Sequence, residues 1–133
     1  MYSGLSMTIS HLPELCDDTF WAILNDEISD DIVNRLVWHY LGYRYDETAQ
    51  SWDGSQVDPE WLATYPDPPS FTESRPATVK LTRSIPKPNK QLLKEQLGFK
   101  GYSIEELVPR KTRRATMVNW LLSYAKIHGA ASS

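Results

Sequence analysis

The sequence predicts a single α+β domain that is mainly helical, with a small antiparallel sheet built from residues 43–53 and 76–85. The chain has 133 residues, of which 41% are hydrophobic and 11% aromatic, enough apolar material for one packed core. Helical periodicity dominates, and two segments have the features of strands. We expect residues 15–128 to form the domain, with a flexible N-terminus at 1–14 and a flexible tail at 129–133.

Two helices are predicted in the first third of the chain. The segment DDTFWAILN, residues 17–25, predicts a short helix capped by Asp17 or Asp18. A second helix begins after the N-cap Ser29 and ends at Gly42. Its apolar side chains recur on one face, as in a helix with one buried stripe: Ile32, Val33, Leu36, Val37, Tyr40 and Leu41.

The predicted sheet comes from the middle of the chain. Residues 43–53, YRYDETAQSWD, predict two short strands around a polar turn. The alternation in RPATVKLTRSI predicts a half-buried strand over residues 76–85. Between these segments, Asp58 and Pro59 predict the start of a short helix, and the proline-rich YPDPPSF predicts an extended connector.

Three further helices are predicted towards the C-terminus. The first spans residues 89–97 and ends at Gly98. The second spans residues 103–107, where SIEE has the pattern of a capping box. The third spans residues 112–127, with Thr112 as its cap.

The net charge of −3 conceals a division of charge along the chain. The acidic half, up to about residue 73, has two basic and 14 acidic residues and a net charge of −12. The basic half, from residue 74, has 12 basic and three acidic residues and a net charge of +9. Two interpretations stay open: the halves pack together and neutralise each other, or the basic half forms a binding face for an anionic partner.

Four cations crowd the start of the last predicted helix. A helix N-terminus disfavours each nearby cation by about 0.3–1 kcal/mol. Arg110 and Lys111 precede the predicted cap, whereas Arg113 and Arg114 lie in the first turn and need an anion, either from a partner or from the protein's own aspartates. The predicted anion- or partner-binding residues are Arg113, Arg114, Arg110, Lys111, Arg75, Lys80 and Arg83. Lys87, Lys90 and Lys94 extend this set if the segments align.

No motif in the sequence indicates catalysis. The three histidines share no metal-ligand spacing, and Gly-rich phosphate loops and nucleophile motifs are lacking. We therefore predict no catalytic residues, no metal site and no cofactor. The single cysteine, Cys16, fits a reducing compartment, and neither a secretory signal nor an apolar run of about 18 residues is present.

Three long stretches of the chain carry a resemblance to a known family. They are DTFWAILNDEISDDIVNRLVWHYLGYRYDETAQSWD, SRPATVKLTRSIPKPNKQLLKEQLGFKGY and PRKTRRATMVNWLLSYAK. Over roughly residues 15–127 the chain resembles the uncharacterised family described as domain of unknown function 1823, from cyanobacteria and the plant plastid lineage. The resemblance implies a soluble protein of oxygenic phototrophs, located in the cytoplasm or in the plastid stroma. It implies no activity, cofactor or catalytic residue.

The leading hypothesis is a non-enzymatic binding or assembly protein that engages an acidic protein or a phosphate-bearing ligand through its basic surface. One alternative is a nucleic-acid-binding regulator that uses the helices at 89–97, 103–107 and 112–127. Another is an enzyme acting on a phosphorylated or acidic metabolite, with Arg113 and Arg114 as substrate clamp and an aspartate as base. It requires a cleft that joins these arginines to an acidic pair such as Asp30 and Asp31. Three residues form a candidate aromatic surface: Tyr43, Tyr45 and Trp52. The oligomeric state does not follow from the sequence.

Overall fold

The computed structural model describes residues 12–129. In chain order its elements are α1 (Asp17–Leu24), α2 (Asp30–Leu41), β1 (Arg44–Asp46), β2 (Ser51–Asp53), α3 (Pro59–Thr64), α4 (Arg75–Ser84), α5 (Leu92–Leu97) and α6 (Pro109–His128). Single 3₁₀ turns lie at Lys87–Asn89 and Ile104–Glu106. Most of the N-terminus and tail predicted to be flexible, residues 1–11 and 130–133, lies outside the described residues.

The long helix α6 is the centre of the domain. Helices α1, α2, α4 and α5 all pack against it. Because α6 has neighbours on several sides, its buried residues are not confined to one stripe. Even two polar residues of α6 are buried: Asn119 accepts a hydrogen bond from the Leu93 amide, and Ser123 accepts one from the Asn89 side chain.

The predicted fold class is confirmed, because the domain is mainly helical and has a small antiparallel sheet. Within residues 12–129 that sheet consists of β1 and β2. Their register places Arg44 opposite Asp53, Tyr45 opposite Trp52, and Asp46 opposite Ser51. The strands predicted within residues 43–53 are therefore present.

The strand predicted over residues 76–85 is wrong, since this segment is helix α4. Ala77, Leu81 and Ile85 are spaced by four residues, so the alternation that suggested a strand also places them on one helix face. Ser74 caps the helix by accepting a hydrogen bond from the Ala77 amide. The Thr78 hydroxyl donates to the carbonyl of Ser74, an interaction that accommodates a β-branched residue in a helix.

The last helix begins earlier than predicted. Val108 is its N-cap and Pro109 its first residue, whereas the sequence pattern placed the cap at Thr112. Proline suits the first helical position because its ring fixes φ at a helical value. It also lacks a backbone N–H, and an N–H at that position has no acceptor within the helix. As a consequence, Arg110 and Lys111 lie inside the first turn of α6 and do not precede it.

Other boundaries also differ from the prediction. The helix predicted at 89–97 is divided into the 3₁₀ turn Lys87–Asn89 and helix α5. The helix predicted at 103–107 is a single 3₁₀ turn, with the predicted capping box between Ser103 and Glu106. Helix α1 has Cys16 at its N-cap position, not an aspartate. The predicted caps Ser29, Gly42 and Asp58 are confirmed.

Gly42 connects α2 to the β1–β2 hairpin where its backbone lies close to that of Gln56. Its φ is +113°, and a Cβ atom added there would lie 2.3 Å from the carbonyl oxygen of Gln56. Only glycine fits such a position. The next residue, Tyr43, is buried, and its hydroxyl donates a 2.6 Å hydrogen bond to the Tyr65 carbonyl.

Candidate functional site

Arg114 of the basic half is wholly buried against the acidic half. Its Nη1 donates to Asp30 Oδ1 at 2.7 Å, and its Nε and Nη2 donate to the Ile23 carbonyl at 3.3 and 3.0 Å. Nη2 also donates to the Ile28 carbonyl. Ile23 is in the last turn of α1, where carbonyls lack α-helical partners, and its carbonyl also accepts a 3.2 Å hydrogen bond from the Asp26 amide. Arg114 therefore satisfies the C-terminal end of α1 while it neutralises Asp30.

Arg110 completes this ion-pair cluster nearer the surface. Its Nη1 donates to the same Asp30 oxygen at 2.7 Å, and its Nη2 donates to Asp26. Arg114 Nη2 lies 3.7 Å from the other oxygen of Asp26. The hydrogen bond from Arg110 holds the pKa of the Asp26 carboxyl below its usual value, and the two carboxylates raise the pKa of Arg110. The anion for Arg110 and Arg114 is thus supplied by the protein's own Asp26 and Asp30.

Within residues 12–129, the guanidinium groups of Arg110 and Arg114 are in direct contact with Asp30. Arg114 contacts Asp30 directly, and Asp31 is bound instead by Arg35, whose Nε lies 3.1 Å from its Oδ2. None of the three grooves found in the described part of the chain is lined by Asp30, Asp31 or Arg114. The enzyme alternative depended on a cleft that joined these groups.

The other predicted cations lie apart from one another. Arg113 Nη1 donates to the Thr72 carbonyl at 3.1 Å. Lys80 lies 5.1 Å from the ring centroid of Trp61, and Lys111 lies 5.8 Å from that of Tyr102, both cation–π distances. Arg75 and Arg83 are exposed on α4. Of the seven predicted residues, Arg75 and Arg113 line a common groove.

That groove runs between α4 and α6 and is called here the α4–α6 groove. It consists of two adjoining cavities, of about 520 and 340 Å³, which share Thr82 and Thr116 on their walls. At one end, Arg75 and Arg113 flank the segment Leu107–Pro109. Cationic and apolar side chains therefore line the same end of the groove.

The other end of the α4–α6 groove is rich in lysine. Lys90, Lys94 and Lys100 line it, together with the apolar side chains of Leu93 and Phe99. Lys90 Nζ donates to the Thr82 carbonyl at 2.6 Å, which holds its ammonium group against α4. Lys90 and Lys94 were expected to extend the basic set, whereas Lys100 was missed because it lies in a turn with no helical or strand periodicity.

Among the residues that the structure describes, no acidic side chain lines either part of the α4–α6 groove. Within residues 12–129, its five cations also form no salt bridge with an aspartate or glutamate. Leu107 is 54% exposed and Val108 42% exposed, and the nearby Ile104 is 86% exposed. The sequence signal for this apolar patch is the Leu-Val-Pro run between Glu106 and Arg110, which the sequence analysis read as the end of a helix.

A third cavity brings together the residues of the candidate aromatic surface. It is called here the hairpin cleft, has a volume of about 360 Å³ and is lined by Tyr43, Tyr45 and Trp52 together with Trp38 of α2. The Trp52 ring lies 5.5 Å from that of Trp38 and 5.2 Å from that of Tyr45, both edge to face. Tyr43 differs from the other aromatic residues, because it is buried and binds inward through its hydroxyl.

No group of three or more His, Cys, Asp or Glu side chains within residues 12–129 is arranged to hold a metal ion. Among the helices described, none has the length and apolar character needed to cross a membrane.

Comparison with known proteins gives a family without a described activity. The family model described as "Domain of unknown function (DUF1823)" matches residues 14–126, a range that includes the ion-pair cluster and the α4–α6 groove. No curated protein matches the chain. A solved structure described as "Solution NMR structure of the protein" is 64% identical, covers 85% of this chain and 94% of that chain, and has a TM-score of 0.77.

Proposed function

The chain belongs to the DUF1823 family, and we propose that it is a non-enzymatic binding or assembly protein whose α4–α6 groove holds an acidic segment of a partner protein. One observation carries the proposal: the groove combines five cations with exposed apolar side chains, and no acidic residue in the described part of the chain lines its walls. An acidic segment with apolar side chains complements both features.

The apolar patch favours a protein over a phosphate-bearing ligand. Leu107 and Val108 offer apolar surface, which buries against leucine or phenylalanine but gains little from a phosphate group. The chain as a whole has a net charge of −3 and a pI of about 5.6, unlike the strongly basic domains that bind nucleic acids. Arg110 and Arg114, at the start of the helix that would meet DNA, are already bound to Asp26 and Asp30.

The two features of the groove have separate roles in this proposal. Exposed rim cations such as Arg75 and Lys94 accelerate association with an acidic partner and make it sensitive to salt. Leu107 and Val108 are the apolar anchors that limit dissociation. A partner segment without apolar residues then binds quickly but is released quickly.

The setting of this function is also part of the proposal. The family resemblance supports a photosynthetic organism, and the single Cys16 supports a reducing compartment, which together point to the cytoplasm or the plastid stroma. In that setting, a domain with one basic groove on an otherwise acidic chain serves to recruit or assemble acidic proteins.

The test uses fluorescence anisotropy with a labelled amphipathic peptide of glutamate and leucine. Its matched control is the same peptide with glutamine in place of glutamate. We expect the acidic peptide to bind the protein at about 50 mM salt and its affinity to fall strongly by about 200 mM salt. The glutamine peptide should bind at least about tenfold more weakly than the acidic peptide. Duplex DNA and inorganic phosphate are titrated in parallel, and a preference for either one would contradict the proposal.

A charge-matched pair of variants locates the binding. Arg75→Glu/Arg113→Glu reverses two groove cations, and Arg83→Glu/Lys126→Glu makes the same change in charge at two exposed cations outside the groove. We expect the affinity for the acidic peptide to fall about tenfold or more in the first double variant and less than about threefold in the second. Equal losses would overturn the proposal. Arg113→Gln is measured as well, because Arg113 also binds the Thr72 carbonyl.

A further inference from the structure

We propose that the hairpin cleft binds a small planar aromatic carboxylate. The cleft lies between α2 and the β1–β2 hairpin, and its volume of about 360 Å³ falls in the range of ligand pockets. It shares no lining residue with the α4–α6 groove, so this inference does not depend on the proposed function.

The aromatic walls of the hairpin cleft are held in fixed positions. The indole Nε1 of Trp38 donates a 2.6 Å hydrogen bond to the Pro69 carbonyl, which fixes this ring against the proline-rich connector. Trp52 is then held by edge-to-face contacts with Trp38 and with Tyr45. Such preorganised rings bind a planar aromatic ligand with little loss of conformational entropy.

Arg44 supplies the group that recognises an anion in this cleft. Its Nη1 donates to the carbonyls of His39 and Tyr43 at 2.7 and 2.9 Å, so one nitrogen of the guanidinium is anchored to the end of α2. Within residues 12–129, its Nε and Nη2 atoms have no hydrogen-bond partner, and no carboxylate lies within salt-bridge distance. These two nitrogens form the fork that binds a carboxylate through two parallel hydrogen bonds.

The other ionisable groups of the cleft favour a single carboxylate over a phosphate. Arg35 is paired with Asp31, and the acidic Glu47 also lines the cleft. Burial, and secondly the charge of Arg44, lower the pKa of His39 from its usual 6.5, so its ring is neutral at pH 7. Among the described residues that line the cleft, Arg44 is therefore the arginine without an acidic partner, which matches a monoanionic ligand.

The opposing explanation is that these rings only pack the hairpin onto α2. Cross-strand aromatic pairs such as Tyr45 and Trp52 do stabilise small sheets. That explanation assigns no role to the free nitrogens of Arg44. It therefore predicts no selective response of this cleft to an aromatic carboxylate, and an experiment separates the two explanations.

The experiment is a ¹⁵N NMR titration of the full chain with 2-naphthoate, with 2-naphthamide as a neutral probe of the same shape. Each of the five tryptophans carries one indole N–H, and three of them, Trp21, Trp61 and Trp120, lie outside the cleft as internal controls. We expect saturable shifts at Trp38 and Trp52, with naphthoate binding about tenfold or more tightly than naphthamide. Equal shifts at all five indoles, or none at millimolar naphthoate, would overturn the inference.

Variants then identify the groups responsible. Trp52→Ala should abolish binding of both probes. Arg44→Gln should weaken the binding of naphthoate about tenfold or more and leave the binding of naphthamide unchanged. Arg83→Gln should change the binding of neither probe. Retained naphthamide binding shows that the cleft of the Arg44 variant is intact. If Arg44→Gln leaves the preference for naphthoate unchanged, the assignment of the carboxylate is wrong.

Discussion

Arg114 of the basic half and Asp30 of the acidic half form a 2.7 Å ion pair in which the arginine side chain is wholly buried. Together with Arg110 and Asp26, this pair joins the start of α6 to the segment between α1 and α2. Within residues 12–129, Arg110 and Arg114 are the two cations of the basic half that form salt bridges. The two charged halves thus pair directly at this cluster, whereas the cations of the α4–α6 groove form no salt bridge with any acidic residue that the structure describes.

Removing the Arg114 guanidinium should strongly destabilise the fold. Arg114→Met removes the buried donor to Asp30 and to the carbonyls of Ile23 and Ile28, and leaves Asp30 paired with the more exposed Arg110. We expect a loss of about 3–5 kcal/mol in the free energy of unfolding, measured by urea denaturation. Arg113→Met is the matched control, because the neighbouring arginine is partly exposed and donates one hydrogen bond, worth about 1 kcal/mol. Similar losses in the two variants would contradict the role assigned to Arg114.

The Asp26–Arg110 pair should make stability depend on pH in the acid range. The pKa of Asp26 lies below its usual 3.8 in the folded state, so its stabilisation is complete above 3.8 and is lost as the pH falls through the folded pKa. Asp26→Asn should therefore flatten the lowest part of the profile of melting temperature against pH. Glu27→Gln, at the exposed neighbouring residue, is the control. An Asp26→Asn profile that keeps the full acid slope would refute this assignment.

Substitution of Gly42 should cost more stability than the same change at another helix end. Both Gly42 and Gly98 end a helix at positive φ, where alanine costs about 1–2 kcal/mol. At Gly42 the new Cβ would also lie 2.3 Å from the Gln56 carbonyl, whereas nothing lies within 4 Å at Gly98. In thermal unfolding, Gly42→Ala should lower the melting temperature clearly more than Gly98→Ala does. Equal losses would mean that the hairpin shifts to relieve the contact.

Asn34 should be essential for holding the proline-rich connector against α2. Its Oδ1 accepts a hydrogen bond from the buried Phe71 amide at 2.8 Å, and its Nδ2 donates to the hydroxyls of Ser70 and Thr72. Asn34→Ala leaves that amide without a hydrogen-bond acceptor, which should lower the free energy of unfolding by about 1–3 kcal/mol. The lost packing of the side chain adds to this effect. The control, Asn25→Ala, changes an exposed residue after α1. Faster amide exchange at Phe71 in the Asn34 variant would locate the effect, and unchanged exchange would argue against it.

Local signals predicted those parts of the fold that depend on nearby residues. Ser29 and Gly42 bound α2 as expected, because capping and left-handed helix ends need only the residues beside them. Helix α4 was misassigned because Ala77, Leu81 and Ile85 fit a period of two and a period of four equally well. The first turn of α6 was misplaced because Pro109 is equally compatible with ending one helix and beginning another.

The candidate sites were only partly predictable because they depend on contacts between residues that are distant in the sequence. The position of Arg114 in a helix start predicts that it needs an anion, but Asp30 lies 84 residues away and no local pattern identifies it as the partner. Lys100 and Leu107 join the α4–α6 groove through the packing of turns against α6. Arg44 was not singled out, because its anchoring depends on carbonyl groups at the end of α2.

The most direct test of the central claim is ¹⁵N chemical-shift mapping with the acidic glutamate–leucine peptide at low salt. If the α4–α6 groove is the binding face, the largest shifts will fall on the amides of Thr82, Leu107 and Thr116, and the glutamine peptide will leave them almost unchanged. Largest shifts at Lys126 or around the hairpin cleft, or equal responses to the two peptides, would contradict the claim.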